Sequence, residues 1–151
     1  MKILFVCTGN TCRSAVAERM FRKMLGDSGM EGIEVSSCGI AGSEDFRVPD
    51  VISRRMEEMG VDMKGHISRP VSGREITDAD LILVMDKGHL GRILGQFSGA
   101  VDKTFLLKEY VGEKKRPEIL DPIGQADEIY ISCISEIKDC LEKLLQKIRR
   151  G

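Results

Sequence analysis

The first 26 residues constrain the fold more than any other stretch of this chain. Lys2 to Val6 is a short apolar run that reads as a buried strand. Cys7 to Arg13 interrupts it with the turn formers Thr8, Gly9, Asn10 and Thr11. From Ser14 onward, Ala17, Met20, Phe21, Met24 and Leu25 recur at helical spacing, and Gly26 suits the stop. The alternation then repeats. Ile33 to Ser37 reads as a second strand, and Pro49 fits the first position of a helix closed by Gly60. Leu81 to Met85 is wholly apolar and reads as a central strand. Asp86 to Phe97 is a weaker helix, thinned by Gly88, Gly91 and Gly95. Val101 to Leu107 is a fourth strand candidate, interrupted by Asp102 and Lys103. Asp127 to Arg150 is the clearest helix, its apolar stripe running from Tyr130 through Cys133, Ile137, Cys140 and Leu144 to Ile148.

This order predicts an α/β fold with three layers, α/β/α: a central four-stranded parallel sheet with helices on both faces. One domain over residues 1–151 is expected, since 151 residues suit a single core. Residues 107–126 lack periodicity; long irregular segments in compact domains often carry function, and this one contains Asp121-Pro122.

Composition excludes several classes. The 23 Lys+Arg and 24 Asp+Glu give a net charge of −1, which disfavours a nucleic-acid partner. No apolar run reaches the roughly 18 residues of a membrane span, and the N-terminal run is too short for a secretory segment. Five cysteines, an odd number, argue against a disulfide scaffold and for a reducing, cytoplasmic setting. No C-x-x-C pair occurs and the only histidines, His66 and His89, lie far apart, so neither a metal nor a cofactor is expected. Cys133 and Cys140 fall on the apolar stripe of the last helix and read as core. Met56, Met59 and Met63 read as core filler and His89 as a helix-surface histidine. Lys114, Lys115 and Arg116 read as a solvated patch able to steer an acidic phosphoprotein.

The segment Cys7–Ser14 belongs at the carboxyl end of the first strand, where open parallel sheets bind ligands. It runs into a helix N-terminus, whose free amides and dipole favour an anion. Gly9 and Asn10 tolerate unusual backbone angles, so successive N–H groups can turn inward as a cup. Arg13 adds a planar fork for two phosphoryl oxygens. Amides, dipole and guanidinium together favour the thiolate of Cys7, making it a nucleophile aimed at phosphorus. Asp121 is one carboxylate among many that could protonate a leaving atom and then activate water; it could equally be a turn-forming Asp before Pro122.

The residues CTGNTCRS, with Asp121-Pro122 more than a hundred positions later, resemble the low-molecular-weight protein tyrosine phosphatase family. SSCGI at 36–40, HISRP at 66–70 and DLILVMDKGHL at 80–90 are similar to further segments of that family. The resemblance implies Cys7 as nucleophile, Arg13 as phosphoryl-binding residue and Asp121 as general acid. The loop residues Thr8, Gly9, Asn10, Thr11, Cys12 and Ser14 would bind the phosphoryl group. Ser14 would donate to the thiolate, and Asn10 would hold the loop with Ser37 and His66 behind it. Cys12 matches a second loop cysteine that can trap oxidised Cys7 as a disulfide. No cofactor or metal is implied.

Position 11 bears on substrate. Many tyrosine-specific members carry a larger aliphatic residue there, whereas VCTGNTCRS and LDPIG resemble the bacterial protein arginine phosphatase branch. The expected substrates are phosphorylated proteins, with phosphoarginine ahead of phosphotyrosine. The stretch 38–48 lacks an aromatic soon after Gly39, and Phe46 is the only one nearby. Two other classes stand further back. A thiol-dependent arsenate reductase uses the same loop with a cysteine relay after the third strand, but residues 86–100 contain no Cys. A non-catalytic phosphate-binding module would be expected to lose the nucleophile or the acid.

Overall fold

Alternate side chains of the first strand leave it in opposite directions, and both sets are apolar, so it can only be stable with a layer on each face. The computed structural model describes residues 1–151 and shows that arrangement. Strand β1 (Lys2–Cys7) lies between β2 (Glu34–Gly39) and β3 (Leu81–Val84), with β4 (Thr104–Leu106) outside β3. All pairings are parallel. Ile3, Phe5 and Cys7 face one core with Leu81 and Leu83; Leu4 and Val6 face the other with Ile82 and Val84.

The larger core is closed by α1 (Arg13–Asp27), α2 (Asp50–Glu58) and α6 (Asp127–Arg149). Phe21 of α1 meets Phe5 edge-on, with ring centroids 6.1 Å apart, a geometry that favours the aromatic pair beyond its buried area. The smaller core lies under α3 (Gly73–Asp78) and α4 (Lys87–Gln96). A short α5 (Leu107–Tyr110) follows β4. No helix is long and apolar enough to cross a membrane.

One element was not anticipated and three expectations need correction. Helix α3 carries no periodic stripe: only Ile76 is buried, and the Ser72 side chain caps it by accepting from the Glu75 amide. Pro49 stands before α2 in an extended conformation (ψ 143°), so the helix begins at Asp50. The fourth strand is three residues long, because Ser98–Lys103 forms a 3-10 turn that uses up Val101, Asp102 and Lys103. His89 is not on the surface but 1% exposed, with its ring turned back under the start of α4. The methionines behave as expected: Met56 and Met63 are buried and Met59 packs against them.

Candidate active site

The chain leaves β1 at Cys7, which is paired in register with Gly39 of β2, and turns sharply toward α1. Backbone from β2 holds the turn: the Ile40 and Ala41 amides donate to the carbonyls of Cys7 and Thr8, each at 2.9 Å. Gly39 is required there. A Cβ at that position would overlap the Thr8 carbonyl and crowd the Asn10 nitrogen at 2.9 Å. Asn10 is the one non-glycine residue with positive φ, at 57°, and it carries the tightest part of the turn.

Asn10 is fully buried and every polar atom of its side chain is engaged. Its Nδ2 donates to Ser14 Oγ and to Ser37 Oγ, both at 2.9 Å, and its Oδ1 accepts from the Arg69 amide at 3.2 Å. Its carbonyl accepts from His66 Nε2 at 2.7 Å and from Ser68 Oγ at 2.9 Å. Ser37 in turn donates to Glu18 at 2.9 Å. An amide nitrogen can only donate, so Ser14 Oγ accepts from Asn10 and keeps its own hydrogen. That hydrogen has two acceptors in reach, the Cys7 sulfur at 2.9 Å and the Cys38 carbonyl at 3.3 Å, and a Cys7 thiolate, which cannot donate, would take it.

Arg13 opens α1 and is 2% exposed. Its Nη1 donates to Asp86 Oδ2 and to the Ile119 carbonyl, both at 2.8 Å, which uses both of that nitrogen's hydrogens. Nε and Nη2 stay available for an anion, with Nη2 3.3 Å from Thr8 Oγ1 and 3.5 Å from Asp121 Oδ2. Burial works against the Arg13 charge, but Asp86, Cys7 and Asp121 outweigh it and raise its pKa. Burial likewise pushes Asp86 up, yet the N–H groups of Arg13 and His89 hold it below its usual value. No side chain caps the first turn of α1, so its amides remain open to an anion.

Asp121 comes from the irregular segment before α6. Its Oδ1 accepts from the Ile123 amide at 3.1 Å, which turns Oδ2 toward Arg13. Cys7, Thr8, Gly9, Thr11, Cys12, Arg13 and Asp121 line one cavity of about 520 Å³, together with Asp45 and Phe46. The Phe46 ring lies 3.7 Å from where a side chain on Gly9 would begin, and Tyr130 and Ile123 also reach the cavity. The aromatic wall missing after Gly39 is thus present, supplied from later in the same loop and from α6.

The residues the sequence assigned to the site converge here. Cys7 and Cys12 sit in the buried turn, Thr8, Gly9 and Thr11 on the cavity side, and Asn10, Ser14, Ser37 and His66 behind it. Cys12 also faces Cys133 of α6; that thiol, then burial, pushes the Cys12 pKa up. All five cysteines are free. No group of three His, Cys, Asp or Glu side chains is placed to hold a metal ion. Sequence reasoning gave no site role to Asp86, His89, Ile119, Glu18, Ser68 and Arg69. Two signals were present: Asp-x-x-His is a capping pattern at the start of α4, and Ser68 and Arg69 lie in the HISRP segment that resembles the family.

Cys7, Arg13 and Asp121 line one cavity, and the Thr8 to Cys12 amides make no hydrogen bond within the protein; a thiol, a guanidinium, open amides and a carboxylate so gathered can accept a phosphoryl group and protonate what leaves. Comparison with known proteins agrees. The protein-arginine-phosphatase of Bacillus subtilis is 33% identical over 150 residues, covering 99% of this chain and 98% of the relative. The low molecular weight protein-tyrosine-phosphatase PtpB of Staphylococcus aureus is 34% identical, covering 95% of this chain and 96% of the relative. The YwlE arginine phosphatase, solved as a C7S mutant with phosphorylated active site serine, superposes with a TM-score of 0.93 at 32% identity, covering 100% and 97% of the two chains. The description "Low molecular weight phosphotyrosine protein phosphatase" matches residues 2–151, and the chain belongs to that family.

Proposed function

We propose that this chain is a cysteine-dependent phosphatase that removes phosphoryl groups from arginine side chains of proteins. Cys7 thiolate attacks phosphorus in line with the leaving nitrogen, forming the S–P bond as the P–N bond breaks. Arg13 Nε and Nη2, with the loop amides from Thr8 to Ser14, hold the three phosphoryl oxygens. The Asp121 carboxyl gives its proton to the departing guanidine nitrogen. As carboxylate it then takes a proton from water, whose oxygen attacks phosphorus and releases phosphate and the Cys7 thiolate. Asn10, Ser37 and His66 keep the loop in shape and leave the Ser14 hydrogen for sulfur. The 151 residues act as one domain on phosphorylated proteins, and the balanced charge and reduced cysteines suit a cytoplasmic enzyme without nucleic-acid or membrane partners.

The observation that supports the arginine reading is that Thr11, Asp45 and Asp121 line the same cavity as Cys7. A guanidinium offers N–H donors to all three, whereas a phenol ring offers none along its edge. Phosphotyrosine remains the second reading, favoured by Phe46 and Tyr130 in the same cavity. The deciding experiment compares kcat/KM on matched phosphoarginine and phosphotyrosine peptides, for the natural chain and for Thr11→Ile. Phosphoarginine should lead, and Thr11→Ile should move the ratio toward phosphotyrosine. A ratio that the substitution leaves unchanged would remove position 11 from specificity.

A further inference from the structure

The hydrogen bonds around His89 settle where the Thr8 hydroxyl points, and no role assigned so far uses either residue as a pair. The Asp86 backbone N–H reaches His89 Nδ1 at 3.2 Å. A backbone amide can only donate, so Nδ1 accepts, and the neutral ring carries its hydrogen on Nε2. Nε2 lies 2.9 Å from Thr8 Oγ1 and therefore donates to it. Arg13 Nη2 supplies a second donor to the same oxygen at 3.3 Å. Both lone pairs of Thr8 Oγ1 are then engaged, and its own hydrogen has no acceptor within the protein. Thr8 is exposed and lines the cavity beside Cys7 and Arg13, so that hydrogen turns into the space where phosphoryl oxygens sit.

We propose that His89 is a positioning residue for phosphoryl transfer: acting through Thr8, it turns a hydroxyl donor toward the phosphoryl oxygens held over Cys7. The proposal rests on the phosphatase reading above. With the opposite tautomer Thr8 would donate to the ring and present a lone pair to a dianion. Two features fix the tautomer. The Asp86 amide occupies Nδ1, and burial pushes the His89 pKa down to about 4, which keeps the ring neutral. Asp86 sets both partners at once, since its Oδ1 accepts from the His89 amide at 3.1 Å and its Oδ2 from Arg13. One carboxylate thus registers the phosphoryl-gripping guanidinium and the histidine that aims Thr8.

Two substitutions at position 89 separate this role from simple capping of α4. His89→Asn keeps an acceptor for the Asp86 amide but cannot reach Thr8; His89→Gln keeps both the cap and a donor at the reach of Nε2. Steady-state kinetics on an activated aryl phosphate, with inorganic phosphate as competitive inhibitor, provide the readout. Thr8→Val should lower kcat/KM by roughly 10- to 100-fold and raise the phosphate Ki, as expected for one lost donor on a phosphoryl oxygen. His89→Asn should reproduce that loss, His89→Gln should recover most of it, and Thr8→Val/His89→Asn should be no worse than Thr8→Val alone. Multiplicative losses in the double variant, or a His89→Asn enzyme with unaltered kinetics and phosphate Ki, would overturn the proposal. An unmodified chain inactive on every phosphate ester and phosphoarginine would instead overturn the phosphatase reading. If Thr8→Val fails to fold, Thr8→Ser, which restores the hydroxyl without the methyl, must still show the His89→Asn loss on its background.

Discussion

Replacing Asn10 by Ala removes the residue on which the phosphate loop hangs, and its cost can be worked from the structure. Three side-chain hydrogen bonds vanish, to Ser14, Ser37 and the Arg69 amide. Ser14 and Ser37 each keep another partner, Cys7 or Cys38 for one and Glu18 for the other, so neither is orphaned. Each bond then counts at its net value of about 1 kcal/mol, or about 3 kcal/mol in all. Alanine at φ 57° adds about 1 kcal/mol of backbone strain that asparagine tolerates better. Against a typical domain stability of about 5–15 kcal/mol this is a large loss, lowering Tm by roughly 8–16 °C. Asn10→Gly loses the same bonds but is free at positive φ, so it should recover part of the difference. Urea melts read the stability, and aryl phosphate hydrolysis reads the loop: activity should fall in both variants because Ser14 is released from its directed donation to sulfur. A loss under 1 kcal/mol with unchanged kcat, in both variants, would refute the claim that Asn10 organises the loop.

Two further outcomes are expected. Asp121→Asn preserves the acceptor for the Ile123 amide, so the loop should stand; turnover of substrates with poor leaving groups should fall roughly 10²–10⁴-fold while activated aryl phosphates are nearly spared. Equal loss on both would make Asp121 structural. Acid should destabilise the fold through His89, which Asp86, Arg13, Asp121 and Glu118 face. Its folded pKa of about 4 lies below the ordinary value of roughly 6.5, so the unfolded chain takes up the proton first. The stabilisation is complete above about pH 6.5 and is lost as pH falls toward 4, amounting to about 3 kcal/mol. Urea midpoints measured across that range should lose this slope in His89→Gln; an identical slope in both proteins would place the acid sensitivity elsewhere.

The elements that sequence alone determined are those whose physics is local or periodic. The apolar strands 2–6 and 81–85, the amphipathic stripes of α1 and α6, and a turn rich in Thr, Gly and Asn between strand and helix leave few other folds open. The same locality made the phosphate loop legible, since seven consecutive residues supply its nucleophile, its amides and its guanidinium. Elements governed by a few contacts escaped. Helix α3 rests on one buried side chain and a serine cap, and β4 loses the start of its expected range to a 3-10 turn and Leu107 to the next helix. The site divides in the same way. Cys7 and Arg13 announce themselves by context, an apolar strand before, Gly-Asn within and an amphipathic helix after, and the family resemblance pointed to Ser37 and His66; Asp86, His89 and Ile119, tens of residues away, gave no such reading. Hydrogen bonding between such groups depends on where parallel strands end relative to one another, and sheet register decides that. Only tertiary structure shows that one carboxylate at the tip of β3 holds an arginine from α1 and a buried histidine from α4 in the same grip.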